Sequence, residues 1–154
     1  MNKKITFIRH AQSKYNLKDI NTEEYRNTGL TFEGKDNSKT LDHEFDILIV
    51  SPLRRAVETY ASSNLKCGFL LTNKLFREYL EFMCYPDFFH NETMVLETKE
   101  DIEKRVKKAL DYIKGLNGEK IGIISHHNFI KNFFKINFDK DVDLKNCEVI
   151  EMTI

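Results

Sequence analysis

Ile47-Leu48-Ile49-Val50-Ser51-Pro52-Leu53-Arg54-Arg55-Ala56 decides the fold. Four consecutive apolar residues, three of them β-branched, suit a strand covered on both faces, because a half-exposed strand would alternate. Ser51 then fits an N-cap and Pro52 the first helical position, where the missing N–H costs nothing. A helix is expected from Pro52 to about Ser62.

The same strand-then-helix signal recurs outward from there. Upstream, Ile5, Phe7 and Ile8 lie in a β-rich run that turns polar at His10, so a first strand is expected to end there. Thr31 suits the cap of a helix running to about Leu41, with Gly34 and Asn37 counting against it. Downstream, Phe69-Leu70-Leu71 reads as a third strand, and Leu75 to Glu97 as loop with short helical pieces. Between Lys99 and Lys114, Ile102, Val106, Ala109, Leu110 and Ile113 recur at helical steps, predicting an amphipathic helix that ends near Gly115 with its charges on a solvated face. Ile121-Gly122-Ile123-Ile124 is another doubly covered strand, a helix begins around Phe129, and Val149 to Ile154 reads as an edge strand. Strands alternating with helices imply right-handed crossovers. The expected fold is α/β, a mostly parallel central sheet flanked by helices on both faces, in one domain over residues 1–154.

Composition narrows the function classes. The 24 basic residues balance the 24 acidic ones, so no net field draws the chain to nucleic acid or anionic membrane. No apolar run has transmembrane length, and Met1-Asn2-Lys3-Lys4 leads through only four apolar-rich residues, 5–8, to Arg9, so no signal peptide is expected. A cytoplasmic location is expected. Cys67, Cys84 and Cys147 are odd in number and widely spaced, fitting neither a disulfide framework nor a metal knuckle. His43 and His90 have no partner at metal-ligand spacing and read as surface residues.

Three polar clusters follow predicted strand ends: Arg9-His10, Ser51 to Arg55, and Ser125-His126. In a parallel sheet these converge on one rim. Two arginines, two imidazoles and helix N-termini aimed at one place suit a tetrahedral dianion, because guanidinium forks match phosphate oxygens and free N–H groups add donors. Of the two adjacent arginines only one can face the rim.

In order along the chain, Phe7-Ile8-Arg9-His10-Ala11-Gln12-Ser13, Asn16, Leu30-Thr31-Phe32-Glu33-Gly34, Ser51-Pro52-Leu53-Arg54-Arg55-Ala56-Val57-Glu58-Thr59 and Ile124-Ser125-His126 resemble the histidine phosphatase superfamily, also called phosphoglycerate mutase-like. The resemblance implies a nucleophilic His10 that accepts the phosphoryl group, with Arg9, Arg55, His126 and Asn16 around its oxygens. It selects Arg55 over Arg54 through the following Ala56. It implies Glu78 as the proton donor, with a raised pKa, ahead of Glu81 three residues on. Arg9, Arg55 and a protonated His126 would supply the charge stabilisation that a magnesium ion supplies elsewhere, so neither metal nor cofactor is expected.

Two departures from the family pattern stand out. Ala11 and His127 occupy positions where the family usually has glycine. Alanine keeps its N–H and adds one methyl; His127 could point away, cap its helix or meet the substrate. Asn128 resembles a substrate-contacting asparagine of the mutases, but early in a helix capping is the better reading. The aromatic group Phe82, Tyr85, Phe88 and Phe89 either roofs the site or packs.

The leading expectation is a phosphatase acting on a small phosphorylated metabolite or a phosphoprotein. A phosphoglycerate mutase-type phosphotransferase needs a lid against water, and the 47 residues between Glu78 and His126 hold a helix and a strand but no long insertion. A catalytically silent phosphate-binding module is the third reading, opposed by retention of both histidines and both arginines.

Overall fold

The computed structural model describes residues 2–17, 27–79 and 96–154. Glu81, Cys84, His90 and the aromatic group from Phe82 to Phe89 lie outside them. Five strands form one sheet: β1 (Lys4–Arg9), β2 (Glu44–Val50), β3 (Lys66–Thr72), β4 (Lys120–Ser125) and β5 (Val149–Thr153), in the order β3-β2-β4-β1-β5. All neighbours pair in parallel except β5, which runs antiparallel to β1 at the edge. Helices α1 (Lys14–Leu17), α2 (Phe32–Ser38), α3 (Arg54–Ser62), α4 (Lys99–Gly115) and α5 (His127–Phe138) connect them, with a 3₁₀ turn at Lys74–Phe76.

The continuous apolar runs are explained by two cores, one on each sheet face. Ile47 and Ile49 point with Ile5, Phe7, Ile121 and Ile123 into a core shared with Ile102, Val106, Phe129 and Phe133 of α4 and α5. Leu48 and Val50 point the other way, to Ile8, Leu41, Ala56 and Ile124. Period-two alternation thus survives as a choice between two buried faces. No described helix is long and apolar enough to cross a membrane.

Several local expectations change. β3 spans seven residues, three of which the sequence signalled; it is an exposed edge strand, and Phe69 stays 71% exposed. α2 ends at Ser38, with Thr31 capping it as expected through Gly34 N–H. Gly34 is required by close approach, since a Cβ there would lie 2.1 Å from the Gln12 carbonyl oxygen.

The second helix start is corrected. α3 begins at Arg54 and its N-cap, Leu53, has no side-chain cap. The Ser51 hydroxyl instead shares a 2.6 Å hydrogen bond with His126 Nε2, and Asn27 Oδ1 accepts from Arg54 N–H at 2.8 Å. The α4 charges are also not all solvated, because Arg105 is 5% exposed and lies in the stripe with Ile102, Val106 and Ala109. Asn128 is not a cap either; His126 occupies that position.

Candidate active site

The rim forms where β1, β4 and β2 end side by side. His10 N–H donates to Ser125 O at 3.0 Å and Ser51 N–H to Ile124 O at 3.0 Å, extending the ladder one step beyond the strands. The chain then departs toward α1, α3 and α5, leaving the side chains after each strand turned to a common centre.

His10 is buried and its tautomer is set by its neighbours. Nδ1 lies 2.7 Å from the Ala11 carbonyl oxygen, an acceptor only, so the proton sits on Nδ1 and the lone pair on Nε2. Arg55 Nε donates to that lone pair at 3.3 Å. The methyl of Ala11 is buried without disturbing this arrangement, and Ala11 N–H donates to Thr59 Oγ1 at 2.9 Å.

His126 is fully buried, with its ring centroid 5.2 Å from that of His10. Its Nε2 is engaged by Ser51, whereas buried Nδ1 has no hydrogen-bond partner among the described residues. Buried polar atoms are rarely left so. Burial first, and then the Arg55 guanidinium, push both imidazoles well below their ordinary pKa. Without an anion both are therefore held toward the neutral form; the protonated His126 implied by the resemblance belongs to the phosphate-bound site. For His10 neutrality is what a nucleophile requires.

Arg55 is 3% exposed and faces the histidines, while Arg54 turns outward to pair with Glu58 at 2.8 Å. Arg9 donates through Nη1 to Leu144 O at 2.7 Å, and its buried Nε has no partner among the described residues. Burial lowers the Arg9 pKa, the carboxylates of Glu78 and Asp143 oppose that, and Arg55 reinforces it. These charges share one field.

Glu78 reaches the rim from the segment after the 3₁₀ turn. Its Oε1 accepts from Tyr79 N–H at 2.8 Å and from Phe129 N–H, in the first turn of α5, at 3.0 Å. Helix N-terminal N–H groups are natural partners of a carboxylate. Asn16 sits farther out: its Oδ1 accepts from Ser13 N–H at 2.9 Å and Ser13 Oγ at 3.0 Å.

One neighbour of the site, Asn146, escaped the sequence reading. Asn146 Nδ2 donates to His10 O at 3.0 Å and lies 3.3 Å from Asn16 Oδ1, tying the approach to β5 onto the His10 backbone. Its signal was absent, since a lone asparagine between Lys145 and Cys147 looks like any turn. His127 turns to the same approach, with Nδ1 3.4 Å from Leu144 O and 3.6 Å from Asp143 Oδ1, so it neither caps α5 nor replaces His126.

Two buried neutral histidines make stability pH-dependent. Their folded pKa values are depressed, so between those and the unfolded value of about 6.5 the unfolded chain binds more protons. Their contribution is complete above that value and lost as pH falls, by up to about 1.4 kcal/mol per pH unit for each imidazole. Urea unfolding at stepwise lower pH should show this slope, and a His126→Gln variant should show a shallower one. An unchanged slope would contradict it.

The histidine phosphatase superfamily (branch 1) model matches residues 5–80. No curated protein matches the chain in sequence. Among solved structures it is similar to mycobacterial hydrolase 1, at 12% identity and TM-score 0.69, with 99% of this chain and 92% of that one covered. Mycobacterial glucosyl-3-phosphoglycerate phosphatase superposes with TM-score 0.67 at 13% identity, covering 99% of this chain and 91% of that one. A variant of phosphoserine phosphatase from Entamoeba histolytica, in complex with phosphoserine, gives 0.65 at 17%, covering 97% and 89%. At these identities the likeness is one of fold.

Proposed function

The chain belongs to the histidine phosphatase superfamily, and from that premise we propose that it hydrolyses phosphate monoesters through a covalent phosphohistidine on His10. The observation that carries the reading is the locked tautomer: Nδ1–H held by Ala11 O, and the Nε2 lone pair beside Arg55 in a buried pocket shared with His126.

His10 Nε2 attacks phosphorus as the bond to the leaving oxygen breaks, and Glu78 gives that oxygen its proton. Water then attacks the phosphohistidine, returning a proton to Glu78 and releasing His10 and inorganic phosphate. Charge spreads over the phosphoryl oxygens in transit, so fixed donors contribute most of the acceleration. Arg9 and Arg55 are those donors, joined by His126 Nδ1 and, at the outer edge, Asn16. An arriving dianion offsets the positive potential that holds His126 neutral and favours its protonation. Four such groups make metal and cofactor unnecessary.

A small phosphorylated metabolite is the favoured substrate, in keeping with phosphatases of phosphoserine and glucosyl-3-phosphoglycerate among the similar folds. Hydrolysis is favoured over mutase chemistry because α4 and β4 take up much of the chain between Glu78 and His126.

Turnover of p-nitrophenyl phosphate should persist in excess chelator; its disappearance there would contradict a metal-free reaction. Glu78→Gln should lose about 10²- to 10⁴-fold on an alkyl phosphate, whose leaving oxygen needs a proton. On p-nitrophenyl phosphate, whose leaving group is stable as an anion, the loss should be much smaller. Native protein that binds phosphate but turns over neither ester would favour the silent binding module.

A further inference from the structure

Glu78 is held by more than its own side chain. Arg105 on α4 is buried and divides its guanidinium between Glu97 and the segment that carries Glu78. Nη1 donates to Leu75 O and to Arg77 O, both at 2.8 Å, and Nη2 donates to Glu78 O at 3.2 Å. The remaining edge meets Glu97 in a fork, Nε to Oε1 at 2.7 Å and Nη2 to Oε2 at 2.6 Å. The Glu97 side chain is 7% exposed and also accepts from Arg77 Nη2 at 3.1 Å. The Arg105 guanidinium carbon lies 5.0 Å from the ring centroid of Phe129, the residue whose N–H holds the Glu78 carboxylate.

Stability is a poor explanation for such a pair. Desolvating two charges offsets most of their attraction, and an apolar pair of similar size commonly serves as well. A planar fork does supply fixed geometry, because its donors point in set directions and a lysine's do not. Here three donors are aimed at three carbonyls within four residues of chain, ending at Glu78.

We propose that the Arg105–Glu97 pair is a positioning device for the proton donor, fixing the Leu75–Glu78 backbone so that the Glu78 carboxylate meets the leaving oxygen. The inference rests on the proposed phosphatase reading and goes beyond it, since neither residue touches the reacting atoms. Loss of the fork should cost most where proton donation matters most. Displacements of about 1 Å in such groups can cost 10²-fold.

The test compares Arg105→Lys and Glu97→Gln with native protein on an alkyl phosphate and on p-nitrophenyl phosphate. The expected result is a kcat loss of about tenfold to a hundredfold on the alkyl ester, little on the aryl ester, and KM nearly constant on both. In a Glu78→Gln background, Arg105→Lys should add almost nothing, because positioning an absent acid is without effect. Equal losses on both esters, or full additivity with Glu78→Gln, would overturn the proposal and leave a structural role. Melting curves identify a variant that does not fold; Glu97→Asp, which keeps charge and shortens the fork, is then scored by the same ratio. If Glu78→Gln itself does not discriminate between the esters, the donor assignment has failed, and the failure lies in the phosphatase reading rather than in the clamp.

Discussion

His10→Ala is expected to remove turnover while leaving phosphate binding largely in place. Loss of a covalent nucleophile lowers kcat by at least about 10³-fold, and in well-built sites by about 10⁶-fold. Arg9, Arg55 and His126 remain to hold the anion, so inorganic phosphate or vanadate should bind within about tenfold of the native affinity. The variant also leaves Arg55 Nε without the acceptor it has at 3.3 Å. A buried donor stripped of its partner costs about 1–3 kcal/mol, which a bound anion would restore by accepting from it. Activity within tenfold of native would exclude His10 as the nucleophile.

Arg55→Lys should be nearly as damaging, and for two separable reasons. The guanidinium is the only buried side-chain cation in direct contact with His10 among the described residues. Removing one fixed donor from a developing oxyanion costs about 10²- to 10³-fold, and a lysine does not reproduce the fork. The second reason is electrostatic and shows best in Arg55→Ala. After burial, Arg55 is the largest cause that lowers both imidazoles. Without it both pKa values rise toward the ordinary imidazole range, so His10 becomes protonated at a higher pH and loses its lone pair sooner. The acid limb of the kcat/KM profile should therefore move to higher pH, while the acid-side loss of folding stability becomes shallower. A variant that loses rate with its acid limb unmoved would show that Arg55 acts on the phosphate alone.

The sheet and most of the rim were legible because each depends on local pattern. Ile47 to Val50 and Ile121 to Ile124 are continuous apolar runs that only a sheet covered on both faces accommodates. The residues that follow strand ends must stand on one rim, which brought Arg9, His10, Arg55 and His126 together before any coordinates. Legibility stopped where a residue's partner lies far along the chain. Ser51 had a sound local role as a cap, and a buried imidazole 75 residues away took its hydroxyl. Arg105 sat among the lysines and glutamates of α4 and looked solvated; its place one step before Val106, in the apolar stripe, was the available clue. The lowered pKa of His126 in the anion-free site comes from burial and from Arg55, which no sequence spacing reports.

The central claim is a phosphoryl group carried on His10, and the most direct measurement is rapid acid-free quenching of native protein during turnover of a radiolabelled phosphate ester, followed by peptide mapping. The account predicts label that survives base, is lost in acid, maps to the peptide containing His10, and is missing in His10→Ala. Turnover without any trapped label, or label on another residue, would contradict it.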